Sequence, residues 1–245
     1  MNPARIGAAL APSGTLRVGV NHSNPILSAR NPASGELSGL IIELSNELAR
    51  RAGVPVEYVG YETAGRMVEG LKQDGWDIAW LAVDPARAAE IDFTAPHIVI
   101  EGTYLVPARS TFRSAADVDR DGVRIGTNLN SAYDLYLARS LRHAQRVTVQ
   151  DPETVIELLA TGRADVIAGV RQALDAHARR LPDLRVLDDR FMAINQAAGI
   201  VKGRAEGARY LREFIEEAKA TGLVAQALAR AGIRDVAVAP PEMLR

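Results

Sequence analysis

One alternation of strand-like and helix-like segments runs along this chain and then begins again. Residues 16–20 (LRVGV) make a short apolar run of strand length, and residues 39–52 place Leu40, Leu44 and Leu48 on one face of a helix that Gly53 stops. A strand over 56–59, a helix over 64–72 and a strand over 77–83 follow. The order returns as a strand over 123–126 (VRIG), a helix over 132–142, a strand over 146–149, a helix over 153–161 and a strand over 165–169. A β-α-β-α-β series builds a mainly parallel sheet covered by helices, because a parallel neighbour needs a long crossover. Two such series, meeting near residues 103–108, predict an α/β chain of two lobes joined by two strand-like crossings. The expected division is 1–104 plus 195–245 in one lobe and 105–194 in the other. Helices over 205–221 and 223–231 precede the Pro240-Pro241 terminus.

Composition narrows the partners. The 245 residues are 47% hydrophobic and 24% charged, with a formal net charge of −1. That is enough apolar material for a sizeable core, and there is no basic excess to condense on phosphates, so nucleic acid is not an expected partner. Without cysteine the chain has no disulfide, thiolate nucleophile or thiolate metal site, and its four histidines are scattered, so neither metal nor cofactor is expected. No run of eighteen apolar residues occurs, so direct membrane insertion is not expected. The short apolar stretch 6–11 after one arginine is too brief for a secretory leader. The expectation is that an export signal has been removed or was never there.

Parallel α/β sheets take ligands at the carboxyl ends of their strands, where loops feed helix N-termini. The loops to inspect are therefore 21–25, 61–65, 82–87, 128–131 and 169–172. Arg87, after a strand and a proline, can hold a carboxylate through two parallel hydrogen bonds. Read as an exposed turn residue, it should matter little to stability. Ser131, behind Asn130, is placed either to donate to a ligand or merely to cap a helix. Asn21 and Asn24 either line a cleft or simply form a turn. Trp80 is either an aromatic wall for a ligand or a core residue, whereas Trp76 reads as packing only.

Several segments together resemble a known family: Gly35-Glu36-Leu37-Ser38-Gly39 entering a helix, WDIAWLAVDPARAAEIDFTAPHI over 76–98, NSAYDLYL over 130–137 and TGRADVIAGV over 161–170. They are similar to the bacterial family 3 extracellular solute-binding proteins, over roughly residues 14–232. The most specific piece is Asp84-Pro85-Ala86-Arg87 followed by Glu90-Ile91-Asp92-Phe93-Thr94-Ala95-Pro96, which resembles the signature TPERxxxVDFSxPY. The resemblance implies a two-lobed periplasmic-binding fold of type II with the ligand in a cleft. It also implies a periplasmic location, an ABC transporter permease as partner, a monomeric chain, and a small carboxylate or amino-acid-like ligand whose α-carboxylate is gripped by Arg87.

Departures from the pattern shape the expected ligand. Ala82 stands where relatives place a hydroxyl that helps hold the carboxylate, and Val170 where they place the aspartate that binds the α-ammonium. A valine cannot accept from an ammonium. Glu101, the only acid in the run 98–106, is either a salt bridge between lobes or a substitute partner for that ammonium. Arg171 and Arg66 are candidates for a second ligand carboxylate, and Gln196 is a weaker candidate of the same kind. With Arg87 this leaves a positive balance, so an anionic ligand is expected to be favoured. Binding rather than catalysis is the expected activity. A dehydratase-type enzyme on the same scaffold would need a general acid, for which Glu101 is the sole candidate, and a ligand-sensing module of a receptor is the other alternative.

Overall fold

The computed structural model describes residues 3–242. In chain order they form α1 (Pro3–Leu10), β1 (Leu16–Asn21), α2 (Leu40–Ala52), β2 (Val56–Tyr61), α3 (Ala64–Leu71), β3 (Ile78–Ala82), β4 (Ile91–Phe93) and β5 (Ile98–Pro107). Then come β6 (Arg124–Asn128), α4 (Ala132–Ser140), β7 (Gln145–Val149), α5 (Glu157–Ala160), β8 (Val166–Val170) and α6 (Arg171–Arg180). The chain ends with β9 (Leu184–Val186), β10 (Met192–Val201), α7 (Ala205–Ala220), α8 (Leu223–Arg230) and β11 (Ala237–Val238). It divides into two compact units, one of residues up to Val99 together with those from Asn195 onward, the other of Ile100–Ile194.

Within the first unit the strand order is β2-β1-β3-β10, the first three parallel and β10 antiparallel to β3. Within the second the order is β7-β6-β8-β5, again three parallel strands with an antiparallel neighbour. The repeated alternation in the sequence thus corresponds to a strand order, three parallel and one antiparallel, that recurs in each unit. Helix α2 buries Leu40, Leu44 and Leu48 as its spacing requires and ends at Gly53 in a left-handed turn. The segment 153–161 differs from expectation. Asp151 accepts from the Glu153 amide and Pro152 opens a 3₁₀ turn, which leaves only four residues of α-helix before Thr161-Gly162. Helices α1 and α6 went unread, and α6 buries only Leu174, so it carries no apolar stripe to see.

An ionic clamp recurs at the amino-terminal ends of the parallel strands in both units. On β1, Arg17 donates to the Asp77 carboxylate from its own amide (3.0 Å), from Nε (3.1 Å) and from Nη2 (3.0 Å). On β6, Arg124 does the same to Asp165 from its amide (2.8 Å), Nε (3.1 Å) and Nη2 (2.9 Å). In each unit the aspartate sits immediately before the third strand. Asp77 is fully buried and also accepts from Arg204 at 2.9 Å. Burial opposes its charge, but the hydrogen bonds from Arg17 and Arg204 outweigh that and hold its carboxyl below the usual carboxylate range. Two residues past each clamping arginine stands a glycine that lets a neighbour close in. A Cβ on Gly126 would lie 2.5 Å from Ile167 Cδ1.

A second buried carboxylate, Asp134 on α4, organises the loop after β6. It is 2% exposed and accepts from Thr127 Oγ1 at 2.6 Å, from the Asn130 amide at 3.0 Å and from Arg146 on β7. Asn130 takes a left-handed conformation (φ 59°), which asparagine tolerates better than other side-chain-bearing residues.

Two expectations follow from these charges. A carboxyl whose folded pKa is depressed gives stability that is complete above the ordinary carboxylate value and is lost as pH falls through the folded one. Urea unfolding of the parent should therefore show stability declining below about pH 4, with a shallower decline in Asp77→Asn. That variant should be less stable by about 3 kcal/mol at neutral pH, because Arg17 and Arg204 lose their shared partner. Asp134→Asn should cost about 2–4 kcal/mol and raise amide exchange selectively at residues 128–131. Uniform exchange across the second unit would show that Asp134 does not act on the loop.

Candidate functional site

In the first unit the loop after β3 holds Asp84 and Arg87 in one turn. Pro85 starts the turn and Asp84 caps it, its Oδ1 accepting from the Ala86 amide at 2.9 Å and its carbonyl from Ala88 at 2.9 Å. Arg87 opens the 3₁₀ turn Arg87–Ala89, and its Nη1 donates to the Ala82 carbonyl at 3.0 Å. The sequence placed Arg87 on an exposed turn. In the structure it is 3% exposed, because the side chain folds back along the end of β3. Burial pulls its pKa down and the nearby Asp84 charge partly offsets this, leaving it at about 10, so the guanidinium is charged at neutral pH. Ala82 is buried and contributes a backbone carbonyl to the guanidinium.

Asn21 and Asn24 are buried turn-formers. Asn21 Oδ1 accepts from the Ser23 amide (3.1 Å) and hydroxyl (2.9 Å), and Asn24 Oδ1 accepts from the Ile26 amide (3.1 Å). Trp80 corrects the aromatic-wall alternative. It is fully buried, its Nε1 donates to Ser45 Oγ on α2 at 2.8 Å, and its ring meets His97 edge-on at 5.0 Å. Trp76 is packing, with its Nε1 on the Met67 carbonyl at 2.8 Å. Gln196 pairs in register with Ala82, and its Oε1 is buried without a hydrogen-bond partner among the described residues.

In the second unit Ser131 caps α4, accepting from the Asp134 amide at 3.1 Å. Val170 ends β8 and precedes α6 without a side-chain cap. Arg171, the first residue of α6, is committed within the unit. Its Nε donates to Glu101 Oε2 at 2.7 Å, Nη1 to the Leu187 carbonyl at 3.0 Å and Nη2 to the Asp188 carbonyl at 2.9 Å. Glu101 also faces Arg190 at 3.4 Å. The salt bridge foreseen between lobes therefore lies inside one unit, with both arginines in Ile100–Ile194.

The expected positive balance is corrected as well. Arg171 has Glu101, Arg66 has Glu69 at 3.1 Å, and Arg87 has Asp84. Asp84 was the residue missed. Its sequence signal is an acid directly before the proline that starts the Arg87 turn, which is a cap position that brings a charge with it. Among the described residues no group of three or more acidic or histidine side chains is placed to hold a metal ion, and no helix is long and apolar enough to cross a membrane.

Comparison with known proteins follows the same lines. The sequence profile of the bacterial extracellular solute-binding proteins, family 3, matches residues 16–230. The L-cystine-binding protein TcyJ of Escherichia coli is 25% identical over 214 residues, covering 85% of this chain and 79% of that protein. The solute receptor for L-cysteine of Neisseria gonorrhoeae superposes with a TM-score of 0.78 at 23% identity, over 91% of this chain and 92% of that one. An ancestral amino acid-binding protein, a precursor of cyclohexadienyl dehydratase, superposes with a TM-score of 0.76 at 21% identity, over 93% and 98%. The two structural likenesses establish the fold as that of type II periplasmic-binding proteins. With a profile match spanning most of its length, the chain belongs to the bacterial extracellular solute-binding proteins, family 3.

Proposed function

We propose that this chain is the solute-binding component of an ABC importer, that it works in the periplasm, and that it takes a small carboxylate-bearing, amino-acid-like solute. The observation that carries this reading is Arg87, a charged guanidinium held in place by the Ala82 carbonyl at the carboxyl end of a parallel strand. A fixed guanidinium matches the two oxygens of a carboxylate, and one already ordered by the fold loses little side-chain entropy on binding. Bound solute favours the conformation it fits, and a permease that reads that conformation is told that cargo is present.

Binding is favoured over catalysis by the state of Glu101. The acid that the sequence offered for a dehydratase accepts from Arg171 and Arg190, an arrangement that commits it to its own unit. An acid needed to deliver a proton is served by the opposite surroundings.

A thermal-shift screen of amino acids and small carboxylates, followed by calorimetry, tests the reading. A solute at 100 times its Kd adds about 2.7 kcal/mol to stability. Arg87→Lys keeps the charge beside Asp84 but loses the planar fork, and should weaken binding by about 2–4 kcal/mol with a small change in Tm. Arg87→Gln should lose both binding and stability, since Asp84 then stays buried without its cation. Full affinity in Arg87→Lys and Arg87→Gln would remove Arg87 from the site. Glu101→Gln should leave solute preference unchanged and cost less than about 1 kcal/mol of stability, the range of partly exposed pairs. A lost preference for amino acids over deaminated analogues would instead place Glu101 against the ligand's ammonium.

A further inference from the structure

We propose that the second unit carries a binding site of its own for a small soluble carboxylate with an apolar body, at the end of its parallel strands away from the loops that begin at Asn128 and Val170. The inference stands apart from the reading of Arg87, since every residue it uses lies within Ile100–Ile194. Its basis is a cavity of about 470 Å³, lined by Pro107 and residues 109–112 of the loop after β5 together with Leu159, Ala164 and Asp165. Strand β5 runs antiparallel to β8, so Pro107, its last residue, comes to the end at which Asp165 introduces β8. Small-molecule sites commonly enclose about 300–1,000 Å³.

The walls are apolar and the loop that forms one of them is held in shape. Phe112 packs against the core on one face of the sheet and Leu159 against the core on the other, and Ala164 is buried. Arg185 donates to the Ala108 carbonyl at 3.4 Å, to the Ser110 carbonyl at 3.2 Å and to the Phe112 carbonyl, so the wall is ordered before a ligand arrives. Charge then selects the head group. Arg109 is exposed in the lining and has no salt-bridge partner among the described residues, and the same holds for Arg163, next to Ala164. The guanidinium groups of Arg113 and Arg185 meet loop carbonyls and no acid. Asp165, the acid in the lining, is engaged by Arg124 through its amide, Nε and Nη2, and the side-chain bond from Arg124 holds its carboxyl below the usual carboxylate range. Asp183, whose carbonyl accepts from the Ala108 amide at 2.7 Å, is outside the lining. An anionic head therefore finds a guanidinium to pair with, and the exposed Thr111 hydroxyl is a further donor. An apolar body gains by covering Phe112 and Leu159. A cation would meet like charge at Arg109, and a neutral alcohol would forgo the ion pair.

Octanoate is the probe, with acetate as a head without a body and 1-octanol as a body without a charge, each added to the full chain and followed by calorimetry and by amide NMR shifts. Octanoate should bind at least about tenfold more tightly than either control, with shifts centred on residues 107–112 and 159–165. Arg109→Gln changes an exposed side chain, so Tm should stay at the parent value. In that variant octanoate should weaken at least about tenfold while octanol stays within about threefold of the parent, and the thermal shifts given by amino acids should be those of the parent. No octanoate binding at about 1 mM overturns the proposal. So does an octanoate affinity in Arg109→Gln within about threefold of the parent, and so do shifts that leave residues 107–112 and 159–165 untouched. Capture of the chain by phosphatidylglycerol vesicles, with no binding of free octanoate, would give the surface to a membrane and overturn the soluble-ligand reading as well.

Discussion

An arginine on the first parallel strand of each unit, clamped onto an aspartate that introduces the third, sets the frame for the loops at the other end of those strands. Arg17 and Arg124 use both backbone and side chain on one carboxylate, so the clamp fixes strand position as well as charge. Register set at the amino ends carries through to the carboxyl ends, where β1 stops at Asn21, β3 at Ala82, β6 at Asn128 and β8 at Val170. The candidate loops start from those four points. A buried ion pair offsets its desolvation only when extra hydrogen bonds saturate the carboxylate, and Asp77 meets that condition with Arg204 as a further donor.

The repeated sheet was legible because periodicity is local. Leu40, Leu44 and Leu48 announce their own helix, and LRVGV and VRIG announce their strands. The clamps inside those same words were not legible, since Arg17 and Asp77 are 60 residues apart and Arg124 and Asp165 are 41 apart. Trp80 shows a different limit. Every residue of β3 is buried, so alternation along the strand does not tell which side a residue faces. Only the Ser45 hydroxyl and the His97 ring on its own side reveal Trp80 as core.

Arg87 stood out in the sequence as a candidate, but its burial did not. Turns are ordinarily wet, and an arginine on one ordinarily reaches into water. Here the back-bond to the Ala82 carbonyl draws the side chain inward, and a buried cation requires an anion within reach. Asp84 satisfies that requirement. The same rule, applied to Arg171, recovers Glu101 as a fold partner, and the surplus of positive charge disappears once each arginine is read with its acid.

Single positions are therefore poorly read in isolation. Asn130 keeps its left-handed backbone because the Asp134 carboxylate accepts from its amide and Arg146 holds that carboxylate in turn. Arg87 is buried, and the Asp84 charge that acts on it comes from the same turn, three residues earlier. In both places what must be preserved is a physical quantity, a tolerated φ angle in one and a charge sum in the other. A residue identity is one way of supplying that quantity, and a neighbour fixed by the same turn is another.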